Sequence, residues 1–146
     1  MIPQLNPAEL AAWRADAARP APVLVDVREP WEFDYCRIDG SRHVPLAQLP
    51  ARIDELPRDR DLVLVCHHGH RSQHAAMWLR QAGFANVHNL RGGVAAWADH
   101  VEPAKLLCLA DALAHALQSP ELPLPEQAVS IIMGFGFNQK EILTEL

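Results

Sequence analysis

LVLVCHHGHRS, Leu62 to Ser72, is the stretch whose reading decides the fold. Its first half, Leu62 to Cys66, is a short, continuously apolar run; the absence of alternation marks a strand covered on both faces, hence a parallel sheet between helices. After HHGH, Arg71 to Ala82 is helical in composition, and Gly83 is placed to cap its C-terminus. Strand, tight loop and helix therefore follow one another within about twenty residues. In open parallel sheets such loops, at the carboxyl ends of the strands, are where ligands bind.

The flanking sequence repeats the pattern. VLVDV, Val23 to Val27, is a second buried-strand run, VHNL, Val87 to Leu90, is a third, and DGSRHVP turns into a short strand near His43 and Val44. Asn6 is placed as the N-cap of a helix through PAELAAWRADAA, with Pro7 first and Glu9 third. PWEFDY, LAQLPARIDEL and VAAWADH supply further helix candidates, the last entered through a turn at Arg91, Gly92 and Gly93. Alternating strands and helices define an α/β fold.

Composition sets the class. With 146 residues, 49% hydrophobic and 21% charged, the chain has the make-up of a globular domain. Cys36, Cys66 and Cys108 are odd in number, widely spaced and without a C-x-x-C pair, which argues against a disulfide framework and fits a reducing cytoplasm. The opening residues, MIPQLNPAELAAW, lack a basic start followed by an apolar run, and no stretch reaches the ~20 apolar residues of a membrane span. A formal charge of -5 argues against general nucleic-acid binding. From Leu62 to Ala98, however, there is no Asp or Glu, while Arg71, Arg80, Arg91 and five histidines fall there, a segment suited to an anion.

Chemistry concentrates in the loop. A tight turn with inward N–H groups, backed by a helix N-terminus, stabilises anions and so favours the thiolate of Cys66, the nucleophilic form of the thiol. Gly69 gives the turn its conformational freedom. Arg71 is an anion contact, and the neighbouring histidines favour the ionised sulfur. Asp26, Arg28 and Glu29 close the first buried strand on the same edge of the sheet; Asp26 is expected to hold nearby loops and Arg28 is a candidate substrate contact. A zinc site built on Cys66, His67, His68, His70 and His74 has the right ligand types, but adjacent His67 and His68 would diverge. The four tryptophans read as packing residues.

LVDVREPWEF, CRIDGSRHVPL, LVLVCHHGHRS and NLRGGVAAW, in that order, resemble a rhodanese-homology domain over about Leu5 to His100. The resemblance implies a three-layer α/β/α sandwich on a five-stranded, mainly parallel sheet, here filling residues 1–103; past Pro103 the strongly apolar run AKLLCLADALAHALQ and the proline-rich SPELPLPEQ read as a helical C-terminal extension, 104–146. It implies sulfurtransferase activity with Cys66 as catalytic nucleophile, carrying a persulfide. The loop His67, His68, Gly69, His70, Arg71 and Ser72, with Arg28, would bind substrate, and Asp26 would give structural support. No cofactor or metal is required. The implied donor is a small sulfur anion such as thiosulfate, or a persulfide; the acceptor is cyanide or a thiol, possibly on a protein. Related phosphatases of this fold have Cys-x5-Arg, and the Cys-x4-Arg spacing here disfavours phosphatase or arsenate reductase activity. A non-catalytic interaction module is the alternative, with the apolar extension as a partner or homodimer contact. Cys36 stands where the family commonly has glycine, either as a second thiol near the first or as a buried structural residue.

Overall fold

A computed structural model describes residues 1–105. Residues 106–146, and with them Cys108 and nearly all of the expected extension, lie outside the described residues. Five strands, β1 (Gln4–Leu5), β2 (Val23–Asp26), β3 (Arg42–His43), β4 (Leu62–Val65) and β5 (Val87–Leu90), form one sheet in the order β1-β5-β4-β2-β3, every pair parallel. β4 is central, and all four of its residues are buried, as the continuous apolar run requires.

Helices α1 (Pro7–Ala15), α2 (Pro30–Tyr35), α3 (His70–Gln81) and α4 (Gly93–His100) follow β1, β2, β4 and β5. Alternate residues of the central strands feed two separate cores. Val23, Val25, Leu62 and Leu64 pack with Ala75, Ala76 and Leu79 of α3. Leu24, Val63 and Val65 pack with Leu10 and Trp13 of α1 and Val94, Trp97 and Ala98 of α4. Two cores flanking one sheet make the three-layer α/β/α sandwich expected from the sequence. Among the described residues no helix is long and apolar enough to cross a membrane.

The start of α1 is as read. Asn6 accepts from the Glu9 N–H at 2.8 Å while Glu9 Oε1 accepts from the Asn6 N–H at 3.1 Å, a reciprocal cap. The helix expected over LAQLPARIDEL does not form. Two single 3₁₀ turns, Leu46–Gln48 and Ile53–Glu55, take its place. Pro50 lies between them and has no N–H to donate, so a helical hydrogen-bond ladder is interrupted there even though Leu49 keeps helical backbone.

The chain leaves β2 for α2 and edge strand β3, and leaves β4 for α3 and β5 on the other side. The loops after β2 and β4 therefore part company at neighbouring strand ends, which opens a crevice there.

Candidate active site

Cys66 follows the last residue of β4 and is 1% exposed. The chain turns at once into α3, whose N-terminus begins at His70 and points its unsatisfied N–H groups at the loop. Gly69 makes this possible: its φ is +96°, and a side chain there would meet Gly92 N and Leu90 O, each 3.1 Å from the Cβ position. The Gly69 N–H donates to Cys66 Sγ at 3.0 Å.

What orients the loop is α4 and β5. Val94 N donates to the Cys66 carbonyl at 2.9 Å and Ala95 N to the His67 carbonyl at 3.1 Å, while Asn89 Nδ2 donates to the Gly69 carbonyl at 3.1 Å. Because C=O and N–H of a trans peptide point in opposite directions, the N–H groups of His67, His68 and His70 are turned the other way. Gly93, read from sequence only as a turn residue, is the point of closest approach. A Cβ there would stand 2.3 Å from Cys66 O and 2.4 Å from His67 O.

Ser72, fully buried at the start of α3, places Oγ 3.2 Å from Cys66 Sγ and donates to Asn89 Oδ1 at 2.5 Å. Arg71 makes a two-pronged ion pair with Glu32 of α2, Nη1 to Oε2 and Nη2 to Oε1, both 2.9 Å. Burial works against the Arg71 charge. The hydrogen bonds and charge of Glu32, with Cys66 and Asp26 nearby, outweigh it and raise the guanidinium above its usual range. Neither Glu32 nor Asn89 was singled out by sequence. Glu32 is a charged residue on a short helix, indistinguishable there from a solvated one.

Arg28, a candidate substrate contact from the sequence, turns inward. It is 1% exposed, and its guanidinium is spent on Asp26, with Nε 3.0 Å from both carboxylate oxygens and Nη2 2.8 Å from Oδ2, and on the Cys36 carbonyl at 2.6 Å. Asp26 Oδ1 also accepts from the Arg28 N–H at 3.0 Å. The pair ties the end of β2 to the end of α2, and leaving it buried requires that every charge be met by a partner.

The loop histidines separate. His67 is 2% exposed, with its ring edge-on to His68 at 4.2 Å between centroids, whereas His70 is exposed. Burial first, then the positive surroundings of His68, Arg28 and Arg71, push His67 down to about 3, so its ring is neutral at physiological pH. His68 is lowered as well, by burial and by the charges of His70 and Arg71. Cys36 is buried in the core on the α1/α4 side, and Cys66 belongs to the core on the α3 side. The Cys36 carbonyl, held by Arg28, and the apolar surroundings of its side chain give Cys36 a structural place.

The family model for the rhodanese-like domain matches residues 6–100. A protein of Allochromatium vinosum named Sulfurtransferase is 43% identical over 81 residues, which cover 56% of this chain and 76% of that protein. Thiosulfate sulfurtransferase GlpE of Stutzerimonas stutzeri is 43% identical over 75 residues, 51% of this chain and 69% of the relative. Of the longer relative MoeZ of Mycobacterium tuberculosis, a probable adenylyltransferase/sulfurtransferase, the chain spans a quarter of the length. Among solved structures, a rhodanese-related protein of Thermoplasma volcanium superposes with a TM-score of 0.62 at 31% identity, covering 69% of this chain and 95% of that one. With the matched span taking in β2 to β5, the Cys66 loop and α4, the chain belongs to the rhodanese-like domain family.

Proposed function

We propose that this protein is a sulfurtransferase that moves a sulfane sulfur from thiosulfate or a persulfide to a nucleophilic acceptor through a persulfide on Cys66. The observation that carries the reading is the Gly69 N–H aimed at Cys66 Sγ in a loop whose carbonyls are tied away by α4 and Asn89. A sulfur so placed bears negative charge at the N-terminus of a helix, where unpaired N–H groups stabilise it.

In the first half-reaction the Cys66 thiolate attacks the outer sulfur of thiosulfate. The new S–S bond forms as the donor's S–S bond breaks, and the electron pair leaves with sulfite. In the second, cyanide or a thiolate attacks the outer sulfur of the persulfide, and the Cys66 thiolate departs as leaving group. Splitting the transfer in two is covalent catalysis, and it needs neither metal nor cofactor. The helix start serves both charged states, free thiolate and terminal persulfide, which lie within one sulfur of each other. Relatives named sulfurtransferase and thiosulfate sulfurtransferase support the reaction class.

The test is intact mass after incubation with thiosulfate, before and after cyanide, for the wild type and Cys66→Ala. The expected result is a gain of one sulfur atom on the wild type alone, removed by cyanide with thiocyanate formed. A protein that gains no sulfur from thiosulfate or from persulfide donors is not this enzyme, and a binding role for the fold takes precedence.

A further inference from the structure

Beside Cys66 lies a hydroxyl whose direction follows from counting donors. The Asn89 carboxamide, 3% exposed in β5, is fixed in orientation: Nδ2 donates to the Gly69 carbonyl at 3.1 Å and to Gln4 Oε1 at 2.8 Å. Gln4 is oriented in turn, since its Nε2 donates to the Ile2 carbonyl at 3.2 Å and to Gln73 Oε1 at 2.6 Å, which leaves Oε1 as the acceptor. Asn89 Oδ1 therefore stands 2.5 Å from Ser72 Oγ as an acceptor, and the proton between them belongs to Ser72. A hydroxyl has one proton. Cys66 Sγ, 3.2 Å from the same oxygen, then meets Ser72 lone pairs, an arrangement that accepts from a thiol and gives nothing to a thiolate.

We propose that Asn89 is a positioning residue acting through Ser72: by engaging the hydroxyl proton, it withholds a hydrogen bond from the ionised Cys66 sulfur and keeps that sulfur more nucleophilic. A thiolate stripped of one stabilising donor attacks faster, because nucleophilicity rises with basicity. In a persulfide the charge sits on the outer sulfur and Cys66 Sγ is a neutral bridge, so the Ser72–Asn89 bond is retained without cost. The chain thus penalises the free thiolate and spares the sulfur-loaded form. That consequence rests on Cys66 being the sulfur carrier, whereas the hydroxyl's direction does not.

The charged and titratable groups around Cys66 include Arg71, His67, His68 and the exposed His70 of its own loop, Glu32 of α2 behind Arg71, and Asp26 with Arg28 at the end of β2. β5 presents Asn89, and α4 meets the loop with Gly93, Val94 and Ala95, none of which titrates. Substitutions at Ser72 and Asn89 leave this charge set unchanged.

The experiment is the pH profile of iodoacetamide alkylation, followed by mass on the Cys66 peptide, for the wild type, Ser72→Ala, Asn89→Leu and the double variant. With the hydroxyl released, Asn89→Leu is expected to move the midpoint about one pH unit lower, the worth of one hydrogen bond to a charged group, with a lower limiting rate at high pH. Ser72→Ala should not raise the midpoint, and the downward shift caused by Asn89→Leu should vanish in its background, where only the loss of the Gly69 carbonyl bond remains. A Ser72→Ala midpoint raised by about a unit would show that the hydroxyl already donates to the thiolate, and would overturn the proposal. Should Asn89→Leu fail to fold, judged by circular dichroism, the Ser72→Ala direction decides alone. These shifts in a protein that accepts no sulfur would uphold the hydroxyl assignment while removing the sulfur-transfer reading.

Discussion

Glu32 and Arg71, 39 positions apart, are joined by two hydrogen bonds of 2.9 Å, with the carboxylate 1% exposed and the guanidinium 27%. The pair spans the crevice between the loop after β2 and the loop after β4. It fixes the helix-start end of the Cys66 loop to α2, as Val94 and Ala95 fix the strand end to α4. Arg71 is thereby a tether before it is anything else, and a donor anion would share it with a carboxylate already in place.

Removing either partner should therefore be unequal in effect. Arg71→Ala leaves Glu32 charged and buried, at a cost of about 3 kcal/mol in unfolding free energy. Glu32→Gln keeps the shape and frees a partly exposed cation, costing about 1 kcal/mol. The double variant should be less destabilised than the sum, because the orphaned carboxylate is gone. Urea titrations of the four proteins check the order, and equal, additive losses would mean that the tether is not energetically coupled. Sulfur transfer by Glu32→Gln is expected to fall about tenfold through the loosened loop.

Arg28→Lys tests the inward placement of Arg28. A lysine offers one compact ammonium where the guanidinium now serves both oxygens of Asp26 and the Cys36 carbonyl. The expected outcome is a loss of about 3 kcal/mol in stability with KM for the sulfur donor unchanged in the fraction that remains folded. A raised KM at unaltered stability would return Arg28 to the role of substrate contact.

Why the loop was legible and its supports were not follows from sequence distance. Cys66, Gly69, Arg71 and Ser72 are contiguous, and their pattern of apolar strand, glycine turn and helix start is local. Glu32 and Asn89 act across 39 and 17 positions, and nothing in PWEFDY or VHNL separates a tether from an ordinary polar residue. Gly93 looked like half of a turn because the carbonyls it must clear belong to residues 66 and 67. β1 is hidden in the sequence for a different reason. Two residues, Gln4 and Leu5, are too few to show a period, and only pairing with Asn89 and Leu90 makes them a strand.

Gly93 and Gly83 offer a controlled comparison between a clash and a strain. Both have positive φ, +61° and +100°. At Gly83 the nearest obstacle to a Cβ is the flexible end of Arg58 at 3.1 Å, so Gly83→Ala should cost about 1–2 kcal/mol for the left-handed backbone alone and leave sulfur transfer intact. At Gly93 the obstacles are the fixed carbonyls of Cys66 and His67 at 2.3 and 2.4 Å. Gly93→Ala must displace the loop or α4, with a larger stability loss and transfer reduced at least about tenfold. Full activity in Gly93→Ala would show that the loop does not depend on α4 for its orientation.

His67 makes the protein acid-sensitive, and the sign can be worked through. Its folded value lies near 3 and its unfolded value near 6.5, so between these the unfolded chain binds a proton that the folded chain refuses. The neutral ring's contribution is fully present above 6.5 and is lost progressively as pH falls toward 3, with a slope of about 1.4 kcal/mol per pH unit for one proton. His67→Gln cannot take up that proton. Its stability should fall more gently on acidification, so that the gap between wild type and variant shifts in the variant's favour across this window. The carboxylates contribute alike to both proteins and cancel in the comparison. Urea unfolding at a series of pH values through the window is the measurement, and parallel curves would place the His67 ring in a setting where it can charge freely.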